Sequence, residues 1–412
     1  MFLQNYHYLK NKEVLASIFL FLLSFILRIP IIFMYGDQGL DHEWKFLVYN
    51  LVEHGQLVYQ TFDNGFLLPN LWMPPLYAYY LYLFTFLNLE NQNFILIVLI
   101  SQILLASISI IVFYKINKFF FSKKVSFLSS LIFSLFPLHL YACSQISSIS
   151  LQVFLTIVFF YLFIKVTQKA NFYNFSFFAF IAGLLILLRG EFWAIFVVSV
   201  IYLYLFLKIK FKNIILIVLI TSITVSPYIL RNYIIFNKFT VLKSFGYNLW
   251  KGNHPYAKNH SIVEGTEITN ENLLKEINEI KINKFYRINF DDLFLKHAIN
   301  NIKSDPIGHT IFVMKKALSF IFISFSSSDE KYWNPLHYLP LFIFGCTSVI
   351  GIFLSNKKSH LFNFLILMFL VNIAIFSAVS ILPRYKLIIL PLQIIFTSVL
   401  FERIKGKFFN RS

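Results

Sequence analysis

Apolar runs long enough to cross a bilayer recur from one end of this chain to the other, and that recurrence constrains the fold more than any single motif. Hydrocarbon offers a backbone N–H or C=O no partner, so each such run must become a helix that bonds within itself. About twenty residues suffice for one crossing. The runs 14–35, 94–114, 125–141, 151–166, 175–188, 193–207, 214–230, 336–354, 361–381 and 387–401 meet or approach that length. The expected fold class is therefore an all-α polytopic membrane protein. Composition agrees, because 13% of the residues are charged and 58% hydrophobic, whereas soluble domains carry about 25% charge.

The net charge of +17 is not a nucleic-acid signature. The cations sit in short clusters between the apolar runs: Lys115, Lys118, Lys123 and Lys124, then Lys165 and Lys169, then Lys208, Lys210 and Lys212, then Lys357 and Lys358, and the tail Arg403, Lys405, Lys407 and Arg411. Clusters of this kind mark cytoplasmic loops. They predict a multi-pass protein of the inner or plasma membrane with a cytoplasmic N-terminus, and no nucleic-acid partner. The run 14–35 follows Lys10 and Lys12 and has no small-residue cleavage site, so it reads as a retained first span. Arg28 lies near its outer end, where an arginine can reach the interface by snorkelling, and a structural role is expected for it. Residues 76–87 are too short to cross and should lie on the outer surface. The stretch 307–325 carries Lys315 and Lys316. Taken as interfacial it leaves about ten spans, and about eleven if it crosses. Cys143 and Cys346 stand apart, which indicates neither a disulfide framework nor a zinc site.

Two outer segments remain: a first loop, 36–93, and a polar excursion, 231–306. In the loop a helix is predicted from Asp41, with Trp44, Leu47, Val48, Leu51 and Val52 on one face and Gly55 as its stop. Such a helix lies along a membrane surface and holds Asp41 at headgroup level. As an N-cap, Asp41 contributes about 1 kcal/mol. The step Trp72-Met73-Pro74-Pro75 then opens a second surface helix. In the excursion, helices are predicted over 270–285 and 291–301, with turns at 252–255 and 304–306.

No G-x-G-x-x-G, G-x-x-x-x-G-K-[ST], H-E-x-x-H or G-x-S-x-G occurs, and no stretch has room for a cytoplasmic Rossmann domain. No nucleotide cofactor is indicated, and a membrane-borne donor is expected. At this point a set of motifs in order carries a resemblance. Asp41-x-Glu43, Met73-Pro74-Pro75-Leu76, Leu188-Arg189, Arg231-Asn232, Lys251-Gly252-Asn253-His254-Pro255 and Arg384-Tyr385 together resemble the GT-C superfamily of membrane glycosyltransferases, specifically bacterial relatives of the protein O-mannosyltransferases and the lipid A aminoarabinose transferase.

The resemblance implies a GT-C-like bundle of about ten or eleven spans with surface helices in the first outer loop. It also implies inverting transfer of a sugar from a polyprenyl phosphate to a lipid, polysaccharide or protein acceptor on the outer face. Asp41 matches the position of the general base. Glu43 departs from the commoner family form, in which an acid directly follows the aspartate, so Asp63 is a second candidate. Asp37, like Asp63, also has the residue type of a turn. A leaving lipid phosphate gains negative charge, which cations at the outer boundary stabilise. Arg384, Arg231 and Arg189 are the candidates for this role, with Trp72, Pro74, Pro75 and Tyr385 lining the substrate loop. Some GT-C enzymes use a divalent cation and others do not, so the metal stays open. Asp41, His42 and Glu43 are adjacent on a helix and do not converge on one ion. The alternatives are a lipid-linked polysaccharide polymerase or ligase, and a polytopic transporter or flippase. The latter is disfavoured by the absence of acids in the middle of the runs.

The lysine clusters predict labelling from outside. With Cys143 and Cys346 replaced by serine, an Asp41→Cys chain in intact cells should react with an impermeant maleimide, and a Lys118→Cys chain should be protected. The opposite pattern reverses the orientation and removes the basis for chemistry on the outer face.

Overall fold

The computed structural model describes residues 2–40, 42–63, 65–254, 268, 270–325, 330–355 and 359–409. Helix α1 (Phe2–Tyr35) leads into a connection that holds α2 (His42–His54), an antiparallel hairpin of β1 (Val58–Thr61) and β2 (Leu67–Pro69), and α3 (Pro75–Thr85). Then come α4 (Asn91–Phe120), α5 (Lys123–Leu135), α6 (Pro137–Ala142), α7 (Ser148–Gln168), α8 (Phe172–Leu188), α9 (Phe192–Leu205) and α10 (Phe211–Phe236). A polar segment carries α11 (Phe245–Asn253), α12 (Glu271–Asn278) and α13 (Tyr286–Ser304). The last helices are α14 (Pro306–Ile321), α15 (Pro335–Leu354), α16 (His360–Ala378) and α17 (Lys386–Phe409).

Among the described residues, seven helices are long and apolar enough to cross a membrane: α1, α4, α7, α10, α15, α16 and α17, while α8 and α9 are shorter apolar helices. The chain is an all-α polytopic membrane protein. α4 packs between α1 and α7, α8 between α7 and α10, and α15 against α17. Aromatic rings fill the shared core, where Phe163 and Phe364 stack at 3.5 Å. Where two helices approach closely the contact is made by small polar residues. On α5, Ser126, Ser129, Ser130 and Ser134 are buried, and Ser129 bonds Ser398 of α17 at 2.5 Å. A serine hydroxyl both permits close approach and bonds across helices.

Polar contacts mark the two ends of the bundle. At one, Glu13 pairs with Lys118 (2.5 Å) and Lys123 (2.7 Å), and Glu402 accepts from the Ser122 amide at 3.0 Å. Lys165 lies near this end too, over the Phe119 ring. At the other, the Ile146 amide donates to Asp37 (2.6 Å), Gln145 donates to the Tyr35 carbonyl (2.8 Å), and Asn253 donates to the Ala378 carbonyl (3.0 Å). All the long polar connections lie here.

The structure departs from the sequence reading in four places. The third run, 125–141, is not continuous: Phe136 is extended (φ −65°, ψ 119°) ahead of Pro137, which lacks an N–H and disfavours helix in the residue before it, so α5 stops and α6 restarts. Arg28 does not snorkel. It is fully buried, donating to the Ser24 carbonyl (2.9 Å) and hydroxyl (2.7 Å) and to His139 Nδ1 at 3.0 Å. The break at Phe136 is what sets His139 there, stacked on Phe133 at 4.3 Å. The helix expected over 270–285 ends at Asn278, where the Ile280 amide turns back to the Ile277 carbonyl (3.1 Å), and the Asn283 side chain then accepts from the Phe285 amide (2.8 Å) ahead of α13. Finally, Val52 is 52% exposed, and Asn50 takes the buried position on α2.

His139→Leu keeps the packing volume and leaves a buried guanidinium short of an acceptor. The purified protein should melt at a lower temperature, at a cost of about 1–3 kcal/mol. An unchanged melting temperature would mean that Ser24 alone satisfies Arg28.

Candidate functional site

The first connection is built around two buried anchors. Trp44, Leu47, Val48 and Leu51 form the inward face of α2, and Trp44 meets Tyr77 of α3 edge-on at 4.7 Å. The opposite side leaves Phe46, Tyr49 and Val52 exposed, a second apolar stripe that suits a lipid surface. The second anchor is Asn70. Its Oδ1 accepts from the amides of Trp72 (3.1 Å) and Met73 (2.9 Å), a local turn that stops the hairpin, after which Pro74 caps α3 and Pro75 occupies its first turn. Asp41 lies outside the described residues. Asp63 is exposed at the hairpin tip, where Gly65 (φ +76°) supplies the left-handed residue the turn requires.

Arg231 fastens this connection to α10. Its guanidinium donates to the carbonyls of Asn70 (2.5 Å) and Leu57 (3.1 Å) and to Asn232 Oδ1 (2.8 Å). Of the three arginines singled out in the sequence, this one is turned toward protein carbonyls at the foot of the hairpin.

A second cation, absent from the sequence reading, closes over the same hairpin. Arg287 of α13 places its guanidinium 4.6 Å from the Tyr59 ring centre, 5.0 Å from Trp72 and 5.2 Å from Phe290, and donates to Gln60 Oε1 at 2.9 Å. Tyr247 packs on Trp72 at 5.3 Å, so α11 and α13 both reach the hairpin through rings. Tyr59 donates from its hydroxyl to Glu43 at 3.4 Å. Burial, and then the Glu43 carboxylate, raise the Tyr59 hydroxyl far above its usual range against the opposing pull of Arg287, which keeps it a donor. Glu43, Trp72, Tyr59 and Arg287 thus form one group. No spacing rule joins positions 43, 59, 72 and 287, and the mixed charge of the polar segment gave no signal for Arg287.

Another group forms where α8 ends and α17 begins. Arg189 caps α8, donates from Nε to Glu191 at 2.7 Å, and lies 4.8 Å from the Tyr385 ring centre. Arg384 lies 5.9 Å from the same ring, and Tyr385 rests on Phe376 at 5.1 Å. Two arginines and the tyrosine singled out in the sequence therefore meet. Arg384 is exposed and, among the described residues, makes no hydrogen bond or ion pair, whereas Arg189 has its carboxylate. The group has one cation held by an acid and one without such a partner among the described residues. No cluster of three or more His, Cys, Asp or Glu side chains that would hold a metal occurs among the described residues.

Residues 73–230 match the family described as dolichyl-phosphate-mannose-protein mannosyltransferase. No curated protein sequence matches the chain. Among solved structures, the archaeal oligosaccharyltransferase AglB from Archaeoglobus fulgidus, in complex with an inhibitory peptide and a dolichol-phosphate, aligns over 97% of this chain with a TM-score of 0.59 at 12% identity. The fold is that of the GT-C glycosyltransferases. An Archaeoglobus fulgidus oligosaccharyltransferase tethered through a disulfide bond to an acceptor peptide containing the NVT sequon shares the fold over 97% of this chain (TM-score 0.57, 12% identity). This chain spans about half of those proteins, 51% and 50% of their lengths. ArnT from Cupriavidus metallidurans, bound to undecaprenyl phosphate, is similar over 94% of this chain and 78% of its own, at 11% identity and a TM-score of 0.44.

Arg231→Leu removes the cation from the Leu57 and Asn70 carbonyls. Backbone amide exchange across 57–71 should accelerate by about tenfold, while the long helices stay protected. Exchange equal to wild type would show that the hairpin is held by the Arg287 rings alone.

Proposed function

We propose that this chain is an inverting glycosyltransferase that moves a sugar from a polyprenyl-phosphate donor to an acceptor hydroxyl on the outer face of the membrane. The observation that carries this reading is the pairing of Arg189 and the unbonded Arg384 around Tyr385 at the end of a GT-C bundle. The matched family description and the dolichol-phosphate bound to AglB support a lipid-phosphate donor.

In the proposed reaction the donor's phosphate faces Arg384, with Arg189 behind it. As the bond from the anomeric carbon to the phosphate oxygen breaks, the electron pair goes to that oxygen, and guanidinium groups aimed at it stabilise the growing charge. The acceptor hydroxyl attacks from the opposite side of the ring, and Asp41 takes its proton. A carboxylate at the interface is a competent base because partial desolvation raises its proton affinity. Glu43, held by the Tyr59 hydroxyl, is the second acid, two residues along the chain from the base. Arg231 holds the loop that bears them. Trp72, Pro74 and Pro75 shape the floor of that loop. The sugar, the acceptor class and any divalent cation are open to experiment.

Asp41→Asn is nearly isosteric and keeps a good helix-capping residue, so it separates the base from the cap. Transfer of sugar from a polyprenyl-phosphate donor should fall by about 100 to 10,000-fold, with donor binding retained. Transfer within a few-fold of wild type would reduce Asp41 to a cap and move the search to Glu43 and Asp63.

A further inference from the structure

Residues 379–386 join α16 to α17 and carry Arg384 and Tyr385. Both ends of this short connection are bonded to one helix, α14. At the first end, Lys316 of α14 donates from Nζ to the Val379 carbonyl (3.2 Å), the Gly252 carbonyl (3.1 Å) and Asn253 Oδ1 (2.9 Å). Asn253 in turn donates from Nδ2 to the carbonyls of Ala378 (3.0 Å) and Val379 (3.3 Å). The last carbonyls of a helix have no partner inside it, so the Gly252-Asn253 turn and Lys316 together cap α16 from outside. Only glycine fits beside them, because a Cβ at Gly252 would fall 1.8 Å from the Val379 oxygen. At the second end, Lys386 donates from Nζ to the carbonyl of Phe322, the residue that caps α14, and Gln393 donates to the Ile321 carbonyl at 2.8 Å.

Lys316 and Lys386 are buried, and their hydrogen-bond acceptors are carbonyl or amide oxygens rather than carboxylates. Burying an ammonium group is costly unless its donors are satisfied. Lys316 has three N–H donors and three acceptors. The exposed Arg384 guanidinium, by contrast, has no bond of its own among the described residues, so its place is set by the backbone that carries it.

We propose that Lys316, Asn253 and Lys386 are positioning residues for Arg384 and Tyr385, with α14 as the splint that holds the donor-phosphate connection at both ends. This rests on the reading of Arg384 as the phosphate ligand. A site whose charged group is held in place before the ligand arrives loses less free energy to ordering on binding.

The test uses the full-length purified chain and undecaprenyl phosphate as the probe, titrated by intrinsic tryptophan fluorescence, with the melting temperature recorded for each variant. Lys316→Met should weaken binding by about tenfold and Lys316→Arg by less, a loss typical of a misplaced charge-assisted contact. In an Arg384→Ala background, Lys316→Met should cost less than about twofold more, since contributions through one shared group do not add. Wild-type affinity in Lys316→Met, or losses that multiply in the double variant, overturns the positioning role. Wild-type affinity in Arg384→Ala overturns the phosphate-ligand reading itself, and this inference with it. Should Lys316→Met fail to fold, Asn253→Ala, which removes the donor to Ala378 and Val379, enters the same cycle with the same expected outcomes.

Discussion

A backbone amide in hydrocarbon has only its own helix to bond to, and nearly everything distinctive about this protein follows from where that constraint is relaxed. Inside the bundle the chain is helical, and its polar side chains turn back on helix carbonyls or meet one another, as Ser129 meets Ser398. At the loop-rich end the carbonyls at the tips of the helices are free. Long cationic side chains have been recruited to carbonyls at this end: Arg231 to Leu57 and Asn70 beside the hairpin, Lys316 to Val379, and Lys386 to Phe322. The architecture of the candidate site is to a large degree a set of solutions to unpaired carbonyls.

That arrangement sorts the cations by what they touch. Arg231, Lys316 and Lys386 are committed to the protein's own oxygens. Arg189 is committed to a carboxylate. Among the described residues, Arg384 alone of the boundary cations of the sequence reading meets nothing but a ring. That contrast is what supports reading Arg384, under the proposed function, as the ligand of an external anion.

The helices were legible because hydropathy with helical length is a strong and local signal, and the order of α4, α7, α10, α15, α16 and α17 follows directly from it. The Pro74-Pro75 start of α3 was legible because proline chemistry is also local. The remaining features depend on contacts between distant positions. Arg28 reads as a boundary arginine until the break at Pro137 delivers His139 to it. Arg287 looks like one more charge in a polar segment until Tyr59, Trp72 and Phe290 surround it. The hairpin escaped notice because its strands are short and irregular, with a register shift between Val58 and Gln60, and are held largely by side chains from elsewhere. Val52 was misplaced for a different reason: α2 is apolar on two sides, so periodicity alone does not say which side meets protein.

That two-sidedness has a consequence for how a substrate is found. With Phe46, Tyr49 and Val52 turned away from the protein, α2 floats at a depth set by the lipid surface itself. Under the proposed function, the headgroup of a polyprenyl phosphate in the same leaflet would lie at that depth too. Donor and protein would then meet by a search confined to a plane, with no need to lift the lipid out of its bilayer, and the reacting group's height would be calibrated by the membrane instead of by the protein alone.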